Sequence, residues 1–337
     1  MTSTTWQPDS RQIADPFGER APLALSRRYR LLGADIEFRS DSAALLALVD
    51  SAYAGLPAPA PDGLALQVEL RLTEGGTGFT GEPPEPRMLG GAGLLGVAMD
   101  AQHLALVNMA AGRALVQVSH GLLAHPYHLR YELIEFAVFT LAARTRGLLA
   151  LHAGCVGLNG VGALLVGASG AGKSTLALQA LAQGLDFLTE DASFVDPQTL
   201  KVSGIANFLH LRFDVGQWVD DAALRTRIEA SPVIRRRSGV EKHELDLRDG
   251  WAPLAAQPLQ LKHLVFAAPE AAADEALLKP LSAAELAERL HLSQPYAAGQ
   301  PGWATFAGGC ARLHGWELRR GSHPRVGALA LKRLLMA

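Results

Sequence analysis

Only two cysteines, Cys155 and Cys310, occur in the 337 residues. That is too few for a disulfide framework and suits a reducing compartment. Aromatic residues are sparse at 6%, charged residues make up 19%, and the formal charge is only −2. So small a net charge provides no global field to draw the chain to nucleic acid or to an anionic membrane. No run approaches the roughly eighteen uninterrupted apolar residues of a membrane span. The opening MTSTTWQPDSRQIADPFGER lacks the basic start and apolar core of a signal peptide. These absences lead to the expectation of a soluble, cytoplasmic protein. What is present is apolar material, 49% of the chain, enough for one large domain or two modest ones with their own cores.

Residues 1–25 are polar and aperiodic and read as a flexible N-terminal tail. Next comes a strand-like run over 29–38, then Ser40 and Asp41 as candidate caps of a helix over 43–53. A loop carrying Pro57, Pro59 and Pro61 leads to an alternating strand over 66–72. The Gly- and Pro-rich stretch 73–94 reads as a long loop. Short strands are expected over 95–99, 103–107 and 113–118. The strongest helical periodicity covers 129–146, with Arg144 and Arg146 in its last turn and Gly147 in the C-cap position. A domain boundary is placed there. Beyond it, 149–158 and 161–166 read as two strands joined by Asn159-Gly160, a dipeptide suited to a turn with positive φ at both central residues. A helix over 173–183, a strand ending at Glu190-Asp191, a strand over 261–267, a capping box at Ser282 and Glu285, and a closing helix over 326–335 complete the reading. No internal repeat is visible.

Between the 161–166 run and the following helix stands Gly167-Ala168-Ser169-Gly170-Ala171-Gly172-Lys173-Ser174, a full match to G-x-x-x-x-G-K-[ST]. The glycines let backbone N–H groups curl around phosphate oxygens. Lys173 brings a compact positive charge to the β- and γ-phosphates, and the Ser174 hydroxyl can ligate Mg²⁺. Thr175 continues into a helix N-terminus, which itself favours anions. With 34 glycines in the chain, the motif arises by accident on the order of once in a hundred such sequences. It predicts a purine nucleoside triphosphate, ATP with Mg²⁺. Glu190 and Asp191 follow at a strand end, where such proteins place groups for a metal and a base.

Other residues stay open on the sequence alone. His152 on an apolar strand reads as a core histidine. Arg212, in NFLHLRF with His210, is either a core-edge ion pair or a phosphate ligand. Arg235-Arg236-Arg237 with Lys242 is either a solvated basic loop or a clamp on phosphates or substrate. Cys155 reads as a small buried hydrophobe.

The run from His152-Ala-Gly through Asn159-Gly-Val-Gly and the loop to Ser174, followed by Leu188-Thr-Glu-Asp191, resembles the catalytic core of HPr kinase/phosphorylase. It is more similar still to the HprK-related kinases found outside sugar-uptake regulation. The likeness is dense over 151–191, thin through the rest of the second segment, and absent from the first 145 residues. It implies an α/β fold, an HPr kinase/PEP carboxykinase-like P-loop core in which a β-hairpin feeds the loop. It also implies that His152, Lys173 and an Asp of the acidic pair, Asp191, are active-site residues. The chain departs from the family in Glu190-Asp191 where two aspartates are usual, in Thr175 where glutamate is usual, and in lacking a downstream Glu-x-Arg-Gly. These departures point away from a bifunctional enzyme acting on HPr.

The implied organisation is a tail over 1–25, an N-terminal α+β substrate or assembly domain over 26–147, and a P-loop kinase domain over 148–337. The implied activity is transfer of the γ-phosphoryl group of ATP to a hydroxyl, a serine of a protein or peptide, with no nucleic-acid or membrane partner. Ser174 and Glu190 would hold the metal, and Asp191 would take the hydroxyl proton. The first domain is also where a homo-oligomer would assemble. Two alternatives remain: a small-molecule acceptor such as an amino acid or sugar, or a non-catalytic ATP-binding switch. The acidic pair argues against the switch, which needs no base.

Overall fold

The computed structural model describes residues 23–58, 63–73, 78–272 and 277–337. The tail expected over 1–25, apart from 23–25, and Pro59 and Pro61 of the expected loop lie outside these residues. The described chain is a mixed α/β structure with several sheets. It divides into two compact units, one of 23–29, 34–54 and 63–145, the other of 30–33, 55–58 and 146–337. No helix among the described residues is long and apolar enough to cross a membrane.

The first unit is built on seven strands: β1 (Leu25–Leu31), β2 (Ala34–Ser40), β3 (Ala65–Thr73), β4 (Arg87–Gly91), β5 (Leu94–Ala98), β6 (Leu104–Asn108) and β7 (Arg113–Ser119). Their order is β1-β2-β3-β7-β6-β5-β4. β2, β3 and β7 run parallel, which requires crossovers, and helix Ala43–Tyr53 supplies the first. β7 back to β4 is an antiparallel meander.

Four expectations are corrected here. The 29–38 run is a hairpin, not one strand, because Leu32 (φ 52°) and Gly33 (φ 87°) turn the chain with positive φ at both positions. The helix N-cap is Ser42, whose hydroxyl accepts from the Leu45 N–H. Ser40 instead donates to the Leu70 carbonyl in the sheet. The 73–94 stretch contains β4, an exposed edge strand with no alternation to betray it. The 129–146 helix starts earlier, at Pro126, and opens with a π-helical turn over Leu129–Ile134 before Glu135–Thr145. Gly147, at φ 66°, ends it as expected.

The second unit contains β8 (Leu149–His152), β9 (Gly154–Leu158), β10 (Val161–Val166), β11 (Asp186–Thr189), β12 (Ala192–Val195), β13 (Lys201–Ser203), β14 (Phe208–Leu211), β15 (Val233–Arg235), β16 (Glu241–Asp246), β17 (Leu259–Ala271), β18 (Leu278–Pro280) and β19 (His314–Arg320). The main sheet runs β11-β9-β10-β17-β13-β12-β8, with β19 beside β17 and β18 beside β19. β14, β16 and β15 form a separate small sheet. β10, parallel to β17, is apolar at almost every position because both faces are covered. Ala163 and Leu165 enter the core under helices Lys173–Ala182 and Pro324–Met336. Leu164 and Val166 enter the opposite core, under helix Ala283–Ser293 and Phe306. The Ser282 capping box is present in full.

Asn159 (φ 52°) and Gly160 (φ 81°) make the expected tight turn between β9 and β10. The 149–158 run, however, breaks at Ala153. β8 pairs with β12, while β9 pairs with β10 and β11. The break lets β9 pass close under the acidic pair: a Cβ on Gly154 would lie 2.5 Å from the Glu190 carbonyl oxygen. Backbone cannot yield as a side-chain tip can. Gly154→Ala is therefore expected to destabilise this unit by about 3 kcal/mol, read as a lower denaturant midpoint. An unchanged midpoint would show that the 190 segment is free to shift.

His263 of β17 lies opposite His314 of β19 with the rings stacked, and the Trp316 indole donates to its Nδ1 at 3.3 Å. An indole only donates, so Nδ1 must be unprotonated. Burial first, then the charges of His314 and Lys262, hold the pKa down to about 4, below the ordinary histidine value of 6.5. The folded state thus refuses a proton that the unfolded state accepts. Its contribution to stability is complete above about pH 6.5 and is lost as pH falls toward 4. Acidification from pH 7.5 to 5 is expected to lower the melting temperature, and by less in His263→Leu. An equal drop in both proteins would assign the effect elsewhere.

Candidate active site

β10 delivers the chain at Val166 into the glycine-rich loop, and helix Lys173–Ala182 starts where the loop ends. Gly170 (φ 82°) and Gly172 (φ 94°) sit in the left-handed region, so the loop's curl depends on residues without a Cβ. Ala168, Ser169 and Gly170 are exposed at its tip. Lys173 is largely buried, and its ammonium donates to the carbonyls of Gly167 (2.7 Å) and Ala168 (3.3 Å). Arg320, at the end of β19, donates to the Gly170 carbonyl at 3.3 Å. Ser174 and Thr175 occupy the first helical turn, which carries no acidic side chain to oppose an anion.

The turn between β11 and β12 carries Glu190 and Asp191, and it is pinned from both ends. Thr189 Oγ1 donates to the Ala192 carbonyl, and Ser193 Oγ to that of Ala153. The two carboxylates point to different surroundings. Glu190, only 7% exposed, accepts the Ser174 hydroxyl on Oε1 at 2.7 Å. Its Oε2 accepts the backbone N–H of His210 (3.1 Å) and faces His210 Nδ1 at 2.5 Å. Burial is the largest influence on Glu190 and raises its pKa. The His210 charge, the hydrogen bonds from His210 and Ser174, and the Lys242 charge outweigh it and hold the carboxyl well below its usual range. For His210, burial acts downward and the two carboxylates Glu190 and Glu244 prevail, so the ring stays protonated well above neutral pH. Asp191 has a side chain 33% exposed and pairs with Arg236 at 3.4 Å.

Arg236 comes from the turn of the β15–β16 hairpin, closed by its own backbone N–H to the Val240 carbonyl. Lys242 follows on β16. Burial pulls its pKa down, Arg236 and Lys173 act in the same sense, and Glu190 and Asp191 oppose them. The basic stretch left open by the sequence is therefore beside the acidic pair through Arg236 and Lys242. His152 ends β8 opposite Ala192, one residue past Asp191, with an exposed ring. Arg212 is 65% exposed and meets Asp214 at 3.8 Å; the strand before it turns His210, not Arg212, toward Glu190.

No family model and no curated protein matches this chain. Solved structures similar to it include the Hpr(Ser) kinase/phosphatase from Coxiella burnetii, at 13% identity over 56% of this chain and 92% of that one, with a TM-score of 0.26.

The arrangement joins a glycine-rich loop at a helix N-terminus, a lysine ammonium, a hydroxyl–carboxylate pair and a half-buried carboxylate. Ser174 and Glu190 are hard oxygen donors side by side, which fits a magnesium ion completed by phosphate and water rather than a closed protein cage. Among the described residues no group of three or more His, Cys, Asp or Glu side chains forms such a cage. Sequence reasoning gave His210 no role of its own and missed Glu244 and Gln294. His210 and Glu244 lie 20 and 34 positions from their partners in this network. Gln294 clamps the His152 backbone at both its N–H (2.8 Å) and its carbonyl (3.0 Å). The only available signal was His210, a polar residue inside an otherwise buried apolar strand.

Proposed function

We propose that this chain is an ATP-dependent kinase that transfers the γ-phosphoryl group to a hydroxyl, in the first instance a serine of a protein or peptide. The observation that carries the reading is the Ser174–Glu190 hydrogen bond beside the glycine loop, with the half-buried Asp191 next in the chain. Residues 148–337 would form the kinase domain, and 26–147 the domain that selects the substrate or mediates assembly. The serine acceptor rests on the resemblance of 151–191 to HPr kinase cores.

Loop N–H groups and Lys173 would hold the β- and γ-phosphates. Magnesium, held through Ser174 and Glu190, would neutralise charge on those phosphates. Little covalent chemistry is then asked of the protein; positioning and charge stabilisation lower the barrier. Asp191 would accept the acceptor's hydroxyl proton as the new O–P bond forms and the bond to the ADP oxygen breaks. Arg236 pairs with Asp191 at 3.4 Å, and a terminal phosphate carries more charge to compete for that guanidinium. Glu190 is unsuited to the base role because both its oxygens already accept hydrogen bonds.

The test is incubation with ATP and Mg²⁺ alone, with serine peptides, and with free amino acids and sugars, followed by mass spectrometry. Phosphate on a peptide is the expected result. Phosphate on a metabolite would move the acceptor to small molecules. ATP binding with no transfer to any acceptor would leave a nucleotide-dependent switch.

A further inference from the structure

Behind the glycine loop, three buried charged residues stand in a column: Glu190, His210 and Glu244. His210 and Glu244 are partners in the β14–β16 register, so backbone pairing fixes their approach. A carboxylate has no proton to give, so the hydrogen between Glu190 Oε2 and His210 Nδ1 belongs to the ring. The far nitrogen, Nε2, faces Glu244 Oε1 at 3.3 Å and donates in turn. Oε2 therefore receives two donors from one residue, the ring at 2.5 Å and the backbone N–H at 3.1 Å. Oε1 is left with the Ser174 hydroxyl alone. Burying three charges costs desolvation that apolar side chains on the same strands would avoid, so the column is weak evidence of a purely stabilising role.

We propose that His210, held from behind by Glu244, is a positioning residue that commits one oxygen of Glu190 and presents only the other to a cation beside Ser174. The consequence is selectivity. Mg²⁺ takes octahedral geometry at about 2.0–2.1 Å, keeps several waters and is satisfied by single oxygens from one or two carboxylates plus phosphate. Ca²⁺ gathers about six to eight oxygens at about 2.3–2.6 Å and often takes both oxygens of a carboxylate. With Oε2 locked, Glu190 offers Ca²⁺ one donor fewer, and the nucleotide site favours the small ion. The inference rests on the nucleotide reading above.

The experiment measures ATP affinity of the full chain by calorimetry in EDTA, in Mg²⁺ and in Ca²⁺, alongside thermal melts. The wild type is expected to bind more tightly with Mg²⁺ than with Ca²⁺. In His210→Ala the Mg²⁺-supported affinity should fall by about 10- to 100-fold, the usual effect of removing a partner that orients a ligand. The Ca²⁺-supported affinity should fall less, so their ratio shrinks. His210→Asn, which can still donate to Oε2, should keep most of the ratio, and Glu244→Ala should lose part of it. Folded His210→Ala and Glu244→Ala proteins with the wild-type ratio would overturn the inference. So would a wild type that binds equally with both ions. If His210→Ala does not fold, Glu244→Ala decides by the same ratio. A wild type that binds ATP in none of the three buffers would instead overturn the nucleotide reading.

Discussion

Lys173→Ala is expected to lower phosphoryl transfer by about 10³-fold and ATP affinity by at least about tenfold, with little change in melting temperature. The ammonium is already aimed into the loop, bonded to two of its carbonyls. A donor held in place before the reaction needs no reorganisation when charge develops, and removing one such donor costs about 10²–10³ in rate. Lys173 also carries a full charge, and a charge-assisted bond to a phosphate oxygen is roughly twice as strong as a neutral one. Stability should respond weakly because two effects oppose each other. The change loses bonds to the Gly167 and Ala168 carbonyls, but it also removes a partly buried charge and puts alanine, the best helix former, in the first turn. Lys173→Arg is not expected to rescue, since a planar fork cannot take the place of a compact ammonium folded back on the loop. Calorimetric ATP titration checks the affinity and a peptide assay the rate. An alanine variant that binds ATP as the wild type does would place the phosphates somewhere other than this loop.

What the sequence revealed and what it hid follow one physical distinction. The Asn159-Gly160 turn and the glycine loop were legible because their backbone angles demand particular residues locally, and Asn159, Gly160, Gly170 and Gly172 do adopt positive φ. Leu32 adopts positive φ as well, yet nothing in a leucine announces it, so β1 and β2 merged into one expected strand. The break at Ala153 was hidden for a different reason. Leu149–Leu158 is apolar throughout, and only pairing with different neighbours separates β8 from β9. At the site, the adjacency of Glu190 and Asp191 was visible, but their different surroundings were not. One side chain is buried against Ser174 and His210, while its neighbour meets Arg236 near the surface. That difference arises from β14 and the β15–β16 hairpin folding back onto the turn. Contacts across such separations leave no periodic trace in the chain.

The same difference in surroundings sets the second large effect. Asp191→Asn is expected to leave ATP affinity within about threefold of wild type while transfer falls by about 10²–10⁴, the usual contribution of a positioned general base. Asparagine matches aspartate in shape and can still accept from Arg236, so the local geometry should survive. What it cannot do is take a proton. The contrast with Glu190→Gln is informative, because that change acts on the residue bonded to Ser174 and should weaken Mg²⁺-dependent ATP binding as well as transfer. If Asp191 were only an anchor for Arg236, its amide variant would behave nearly like wild type, and full transfer by Asp191→Asn would remove it from the base role. If Arg236 restrains Asp191 until a phosphate competes for it, Arg236→Ala should weaken ATP binding yet leave Asp191 able to act, a loss in affinity larger than the loss in maximal rate. The three variants separate holding the nucleotide, holding the metal and accepting the proton, and each assignment fails on a different measurement.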